Sequence, residues 1–168
     1  MIIMNESGAF LESKRIFFSP MDEKNIDSHL NWVNDRSIIN YLDTGSFPKT
    51  KDQLFDYIKS VNDDPSQVMF SVFEKSSGEY IGNAKLWNID WINRTAKYSR
   101  MIGSKNMQGK GYGSEMALLL LYYAFNILNL NKVCAVVEEG NLPSINSNKK
   151  NGLEVEGVLR EQVFSNGI

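Results

Sequence analysis

The chain has 168 residues, of which 42% are hydrophobic and 23% are charged. This size and composition are typical of one folded globular domain, and they exclude the disordered, collagen-like and membrane-spanning classes. The formal net charge at pH 7 is −2, so no overall positive charge favours DNA or RNA as a partner. We therefore expect a single domain over residues 1–168 that binds neither nucleic acid nor a membrane.

The scarcity of cysteine and histidine removes several kinds of site. Cys134 is the only cysteine and His29 the only histidine. One cysteine and one histidine are too few for a disulfide framework or a Cys/His zinc site, so no metal is expected. Any Ser–His or Cys–His nucleophile would have to use His29, which we expect to be a solvated helix residue, so covalent catalysis is not expected. Residues 1–10 resemble neither a signal nor a transit peptide, and the expected location is the cytoplasm.

The first half of the chain predicts a strand, two helices and an antiparallel meander. The strand covers Ser13–Phe18 and is closed by Pro20. The apolar spacing over Asp22–Tyr41 predicts a helix that breaks near Asn34, and Thr50–Ile58 predicts a second helix capped by its threonine. The three strands of the meander are expected over Val68–Phe73, Tyr80–Trp87 and Thr95–Ile102.

The second half adds a long apolar helix between two strands that should run parallel. The helix begins near Gly113 and is apolar over Met116–Phe125. Lys132–Val137 then favours a strand, and a right-handed crossover places it parallel to Thr95–Ile102. The expected class is therefore α/β with a mixed sheet. The remaining elements are a short helix from Asn141 to Asn151 and a last strand over Val158–Phe164.

The sequence ends on a turn signal. Asn166-Gly167 favours a type I′ hairpin turn, and only Ile168 follows it. A strand before such a turn would be left with an open edge. We therefore expect that a C-terminal strand is missing from this sequence.

A glycine-rich turn precedes the apolar helix. Gln108-Gly109-Lys110-Gly111-Tyr112-Gly113-Ser114 places three glycines at alternating positions. Glycine has no Cβ and tolerates positive φ, so the backbone can approach a ligand closely. Where a helix begins, unpaired N–H groups and the positive end of the helix dipole favour an anion such as a phosphate. The spacing fits [QR]-x-x-G-x-[GA] and matches neither the P-loop nor the dinucleotide fingerprint.

These features together resemble the GNAT acyltransferases, specifically the RimJ/RimL-like branch that includes spermidine and amino-sugar N-acetyltransferases. The likeness covers Ala96–Gly157, where the family's motifs occur in order and without a gap. It implies the GNAT acyl-CoA N-acyltransferase fold, with parallel strands that splay apart, and acetyl-CoA as co-substrate. The motifs are the Gln108–Gly113 turn, Tyr123-Ala124-Phe125, Leu128–Lys132, Asn141 with Ser144, Lys150–Leu153 and Glu156-Gly157.

The resemblance also implies where the co-substrate is held. The turn would hold the pyrophosphate, and the end of Thr95–Ile102 would offer backbone groups to the pantetheine arm. Asn141 would contact the same arm where the parallel strands splay apart, and lysines including Lys150 are candidates to meet the phosphates. The expected binding residues are Met101, Ile102, Gln108, Gly109, Lys110, Gly111, Tyr112, Gly113, Ser114, Asn141 and Lys149.

The catalytic residues are less clear, because the sequence departs from the family pattern at two positions. Asn148 replaces a tyrosine that often serves as general acid, and Lys97 replaces a common glutamate. Asparagine can donate a hydrogen bond to sulfur but cannot release a proton. Ser144, Ser147 or water would then protonate the thiolate, or the thiolate would leave unprotonated.

Glu138 is the candidate general base, at the mouth of the splay. The expected oxyanion donor is a backbone N–H at a bulged strand end near Met101 or Ile102. The catalytic candidates among the side chains are therefore Glu138, Asn148 and Ser144.

The acceptor is expected to be a weakly basic primary amine that attacks the thioester directly. An amine of pKa about 10.4 costs about 4.6 kcal/mol to neutralise at pH 7, and one of pKa about 7.7 to 8.0 only about 1 to 1.4. Lys97, Arg94 and Arg100 favour an anionic acceptor, such as a nucleotide-linked amino sugar. The alternatives are a protein N-terminus, a polyamine, or a module that senses acetyl-CoA without turnover. The oligomeric state is not fixed, and a homodimer is one candidate.

Overall fold

The computed structural model describes residues 9–41 and 47–163, whose strands form one six-stranded mixed sheet in sequential order. Neighbouring strands from β1 to β5 are antiparallel, and β5 and β6 are parallel. The predicted class, a mixed α/β sheet with an antiparallel meander and one parallel pair, is confirmed. The strands are β1 (Leu11–Glu12), β2 (Ile16–Pro20), β3 (Val68–Glu74), β4 (Tyr80–Asp90), β5 (Thr95–Ile102) and β6 (Lys132–Cys134).

Helices cover both faces of this sheet. The long apolar helix α4 packs on one face, where Met116 and Leu120 are fully buried against strand residues such as Ile81. A second apolar cluster covers the other face, and it includes Met21, Leu54 and Ile58, which precede β3 in the chain. The helices are α1 (Ile26–Val33), α2 (Arg36–Ile39), α3 (Lys51–Asp63), α4 (Tyr112–Tyr122) with a π-helical continuation over Tyr123–Ile127, and α5 (Leu142–Lys150).

The helix starts follow the local sequence signals. The break predicted near Asn34 is confirmed, because α1 ends at Val33 and Asp35 caps α2 by accepting a hydrogen bond from the Ser37 N–H at 2.9 Å. Thr50 and Gln53 form a reciprocal capping box at the start of α3, each side chain accepting a hydrogen bond from the other's backbone N–H. In the described parts of the chain, no helix combines the length and apolar character needed to cross a bilayer.

Two strand predictions in the second half need correction. The strand expected over Lys132–Val137 ends at Cys134, beyond which the chain leaves β5. The strand expected over Val158–Phe164 is wrong for residues 158–163, which form no ladder. Val158 and Leu159 are 77% and 67% exposed, so their β-forming side chains gain no packing there. Phe164 and the Asn166-Gly167 turn signal lie outside the described residues.

The first strand is also divided. Within the predicted Ser13–Phe18 strand, residues 13–15 form a tight turn between β1 and β2, closed by a hydrogen bond from the Ser13 N–H to the Ile16 carbonyl at 2.9 Å. Local strand propensity does not predict this turn, because Glu115, which stabilises it, comes from the distant start of α4.

His29 is buried, contrary to the expectation of a solvated residue. Only 3% of it is exposed, and its Nδ1 has no hydrogen-bond partner among the described residues. Burial lowers the pKa of His29 to about 4, because the charged imidazolium loses its hydration there. The folded protein therefore holds this side chain neutral.

We expect this burial to make stability depend on pH. The folded-state pKa of His29 lies below the unfolded value of about 6.5, so the unfolded chain takes up the proton first and stability is lost as the pH falls. Between about pH 7 and pH 5, this residue should remove about 2 kcal/mol from the free energy of unfolding. Urea unfolding of the wild type and of His29→Gln at both pH values isolates this contribution, since the carboxylates are common to both. Equal losses in the two proteins would contradict it.

Candidate active site

The parallel ladder between β5 and β6 is short, and a cleft opens where it ends. The ladder's last pair joins Lys97 to Cys134. β5 continues to Ile102 along β4, whereas no further ladder pairs it with the described residues after Cys134. We call the opening between Tyr98–Ile102 and the segment that leads to α5 the cleft. Beyond Lys97, one edge of β5 therefore has no strand partner among the described residues.

The glycine turn leads from β5 into α4. Gly109 and Gly111 have φ values of +72° and +83°, which the other L-residues adopt at a cost. Gly111 is the N-cap of α4, and no side chain caps this end. The turn is held near the cleft because the Gln108 amide donates a hydrogen bond to the Ile102 carbonyl at 3.0 Å. The first N–H groups of α4 thus form an uncapped, positively polarised end that can bind an anion.

Arg15, which no sequence motif singles out, holds the turn from the opposite side. Its guanidinium donates hydrogen bonds to the Glu115 carboxylate at 2.7 Å and to the Lys110 carbonyl at 3.0 Å. It also stacks on the Tyr112 ring, 4.4 Å from the ring centroid, and Tyr112 is buried. Arg15 precedes these partners by about a hundred residues, so no local pattern reveals the contact.

Hydrogen bonds from Arg15 and Ser13, which we call the clamp, keep Glu115 in its carboxylate form. Burial alone would raise the pKa of Glu115, but hydrogen bonds from the Arg15 backbone, the Ser13 hydroxyl and the Arg15 guanidinium outweigh it and lower the pKa. The carboxylate lies in the first turn of α4, close to any anion bound at the helix end. Arg15 therefore neutralises a charge that would otherwise repel that anion.

Gly113 and Ser114 connect the same helix end to β5 and α5. A Cβ on Gly113 would lie 3.6 Å from Arg100 Nε and from Ile102 Cδ1, so the helix start packs closely on β5. The Ser114 hydroxyl donates to Asn151 Oδ1 at 2.7 Å, and Asn151 Nδ2 donates to the Ser114 carbonyl at 3.1 Å. The Ser114 hydroxyl is thus used to fasten the end of α5.

Asn148 lies in the cleft wall but is oriented by β5. Its Oδ1 accepts hydrogen bonds from the Tyr98 hydroxyl at 2.5 Å and from Arg100 Nη1 at 2.9 Å. Arg100 Nη1 also donates to the Tyr98 hydroxyl at 2.9 Å. Asn148 and Tyr98 are both buried. No local pattern reveals that these three residues meet, because Asn148 follows Tyr98 by 50 positions.

The other catalytic candidates lie where the chain enters α5. Asn141 caps the helix by accepting a hydrogen bond from the Ser144 N–H at 3.2 Å, and its own N–H donates to the Glu138 carbonyl at 3.0 Å. Glu138 is half-buried and forms no ion pair within the described residues. The Ser147 hydroxyl is buried, with no hydrogen-bond partner in the part of the chain that the structure describes. The geometry gathers Glu138, Asn141 and Ser144 at one end of α5.

The expected bulge at the end of β5 is wrong. Pairing with β4 keeps one register from Trp87–Lys97 to Gly82–Ile102, and the shift lies at the other end, between Trp87 and Asp90. Asp90 accepts hydrogen bonds from two N–H groups of the following turn, which distorts the ladder there. Near Met101, the strands are close because residue 82 is glycine: a Cβ would lie 2.0 Å from the Met101 carbonyl oxygen.

Two lysines and two aromatic rings mark the sheet face that carries Met101. Lys97 lies on this face by the two-residue alternation, with its ammonium 4.9 Å from the centroid of the Trp87 ring. Lys85 donates a hydrogen bond to the Tyr57 hydroxyl at 3.0 Å. We call these four residues the basic face. Neither lysine pairs with a carboxylate of the described residues. The predicted phosphate contacts Lys110 and Lys149 are solvent-exposed.

Comparison with known proteins identifies relatives along most of the chain. Residues 15–154 match the family model of the acetyltransferase (GNAT) domain. The uncharacterized N-acetyltransferase p20 of Bacillus licheniformis is 30% identical over 160 residues, covering 94% of this chain and 89% of that protein. The spermidine N(1)-acetyltransferase of Escherichia coli K12 is 35% identical over 111 residues, covering 66% of this chain and 58% of that protein.

A solved structure shares the fold. The spermidine N-acetyltransferase from Vibrio cholerae, in complex with CoA and spermine, superimposes with a TM-score of 0.83 at 27% sequence identity. The match covers 90% of this chain and 88% of the Vibrio protein.

Proposed function

The chain belongs to the GNAT acetyltransferase family and is an acetyl-CoA-dependent N-acetyltransferase, and from this premise we propose that it acetylates the primary amine of a small molecule. The observation that carries the proposal is the uncapped start of α4, where Gly109 and Gly111 hold a turn that an anion can approach. It lies next to a cleft that exposes one edge of β5. We place the reaction in the cytoplasm, and a homodimer stays a prediction.

We assign the co-substrate to the turn and the cleft. The diphosphate is held by the first N–H groups of α4. Lys110 in the turn and Lys149 in the last turn of α5, whose end is bonded to Ser114 through Asn151, are our candidates to screen its charge. The end of β5 at Met101 and Ile102, beyond the last pair with β6, is our candidate for backbone contact with the pantetheine arm. The clamp of Arg15 on Glu115 supports this assignment, because it keeps the helix end positive.

Acetyl transfer then needs a neutral amine, a polarised carbonyl and close approach. The amine attacks the carbonyl carbon directly, and no covalent intermediate on the protein is required. A backbone N–H at the end of β5 is our candidate for the oxyanion donor. Glu138 is our candidate base, with Asn148 and Ser144 lining the same side of the cleft.

We propose a weakly basic amine on an anionic carrier, such as a nucleotide-linked amino sugar, as the acceptor. The basic face supports this choice, because Lys85 and Lys97 have no carboxylate partner among the described residues and Trp87 offers a ring on which a sugar or base can stack. A polyamine carries several positive charges that these lysines would repel. The spermidine acetyltransferases among the relatives favour a polyamine, which is therefore the second candidate.

Free CoA release from acetyl-CoA tests the proposal. We expect a nucleotide-linked amino sugar to give a higher kcat/KM than spermidine or an N-terminal peptide. Lys97→Gln should lower kcat/KM for the anionic acceptor about tenfold, through loss of one charge-assisted contact, and should not lower it for spermidine. Lys59→Gln, at an exposed site on α3, is the control. Faster turnover of spermidine would replace the amino sugar with the polyamine, and no CoA release with any amine would reject the proposed activity.

A further inference from the structure

The cluster of Tyr98, Arg100 and Asn148 lies at the point where the parallel strands separate. Tyr98 is the first residue of β5 beyond the last β5–β6 pair, Lys97–Cys134. Its hydroxyl donates to Asn148 Oδ1 at 2.5 Å and accepts from Arg100 Nη1 at 2.9 Å. Only 4% of Tyr98 is exposed. A hydroxyl with a transferable proton is thus fixed at the base of the cleft by two partners.

Arg100 brings an unbalanced positive charge to this cluster. No carboxylate of the described residues lies within ion-pair distance of its guanidinium. Arg100 Nε lies 3.6 Å from the position of a Cβ on Gly113, so the guanidinium extends from Tyr98 toward the start of α4. A half-buried charge without a counter-ion is costly, and it favours an anion that forms nearby.

We propose that Tyr98 gives its hydroxyl proton to the CoA thiolate when the thioester breaks, and that Arg100 stabilises the tyrosinate that remains. This inference rests on the proposed acetyl transfer. The amine nitrogen forms a bond to the carbonyl carbon, the C–S bond breaks, and its electron pair stays on sulfur. The Tyr98 O–H leaves Asn148 Oδ1 and gives its proton to sulfur, solvent returns a proton to the tyrosinate, and the amide nitrogen loses its surplus proton to solvent. Arg100 and Asn148 are positioning residues for Tyr98.

In this scheme, the two faces of β5 have different roles, one in amine attack and the other in protonation of the sulfur. Met101 lies on the same side of the sheet as Lys97 and the rest of the basic face. Tyr98 and Arg100 lie on the other side, which packs toward α4 and α5. The cleft is open between these faces because β6 no longer pairs with β5. The amine can therefore attack from one side while the leaving sulfur is protonated from the other.

Arg100 is needed because the phenol is the weaker acid of the pair. Burial raises the pKa of Tyr98, and the charge and hydrogen bond of Arg100 act against that rise. Among the described residues, Arg100 is the one charged group that acts on this hydroxyl. In water, proton transfer from a phenol of pKa about 10 to the thiolate of a thiol of pKa about 8.5 is unfavourable by a factor of about 30. A guanidinium in contact with the tyrosinate reduces this cost.

The test compares Tyr98→Phe with the wild type under single-turnover conditions. We expect the acetyl-transfer rate to fall at least tenfold, while the Kd for CoA from calorimetry changes less than about twofold. Tyr122→Phe, on the exposed side of α4, should change neither value. Phenylalanine keeps the ring's packing, and Arg100 still satisfies Asn148 Oδ1, so the variant should fold; a thermal melt checks this.

Arg100→Met provides the second measurement. If Arg100 acts through Tyr98, this change should slow the wild type several-fold and have little further effect on Tyr98→Phe. A transfer rate in Tyr98→Phe within about twofold of the wild type, or additive effects of the two changes, would overturn the inference. Wild-type turnover distinguishes the two failures: its presence retains acetyl transfer without the role of Tyr98, and its absence rejects acetyl transfer itself.

Discussion

Replacing Gly109 with alanine is expected to weaken CoA binding about a hundredfold, through loss of one or two charge-assisted hydrogen bonds. Gly109 has a φ of +72°, and a Cβ added there would meet no atom within 4 Å. The strain therefore comes from the backbone angle alone. An alanine drives φ toward negative values, so the turn relaxes and its N–H groups no longer point at one anion.

Gly78→Ala is the matched control. Gly78 has a φ of +69°, its surroundings are equally open, and it lies in the turn between β3 and β4. Both variants should lose about 1 kcal/mol of stability in chemical unfolding, since the strain is the same. Calorimetry should show weakened CoA binding only for Gly109→Ala. Equal CoA affinities in the two variants would contradict the role of the turn.

Arg15→Met is expected to weaken CoA binding about fiftyfold. The change removes the guanidinium from Glu115, whose side chain is only 15% exposed, and leaves a carboxylate unpaired in the first turn of α4. That charge repels the diphosphate at the same helix end. The substitution also frees the Lys110 carbonyl, so the glycine turn loses its support from the turn between β1 and β2. The measurement is the Kd for CoA at low and high salt.

A second substitution separates repulsion from direct contact. If the unpaired carboxylate causes the loss, Arg15→Met with Glu115→Gln should recover most of the affinity. Lys51→Met is the control, because Lys51 forms an ion pair of similar length, with Asp27 at 2.8 Å, between α3 and α1 and shares no partner with Arg15 or Glu115. No recovery in the double variant would mean that Arg15 contacts the phosphate itself, and the clamp would not explain its effect.

The sequence predicts those parts of the fold that local patterns determine. Tyr80–Trp87 and Thr95–Ile102 alternate strongly enough to fix two strands, and Thr50 marks a helix start by its capping box. The GNAT resemblance, which depends on the Gln108–Gly113 turn and the motifs after it, is confirmed by the family match. Each of these signals is contained within a few neighbouring residues.

The wrong and missed predictions share one cause: contacts with residues distant in sequence determine the structure at those positions. His29 is buried on α1, which packs against α3, and one histidine in a short helix carries no sign of its face. Val158 and Leu159 have strand propensity, but the described residues offer no strand to pair with them. The Arg15–Glu115 clamp and the Tyr98–Asn148 bond join residues 100 and 50 positions apart, so sequence spacing could not find them.

The most direct measurement is a calorimetric titration of the wild-type chain with CoA and with pantetheine, which lacks the diphosphate. We expect CoA to bind with a Kd in the micromolar range and pantetheine to bind at least about a hundredfold more weakly, because the N–H groups at the start of α4 then have no anion to bind. Equal affinities for the two compounds, or no heat with CoA, would contradict the central claim that the Gln108–Gly113 turn holds the diphosphate.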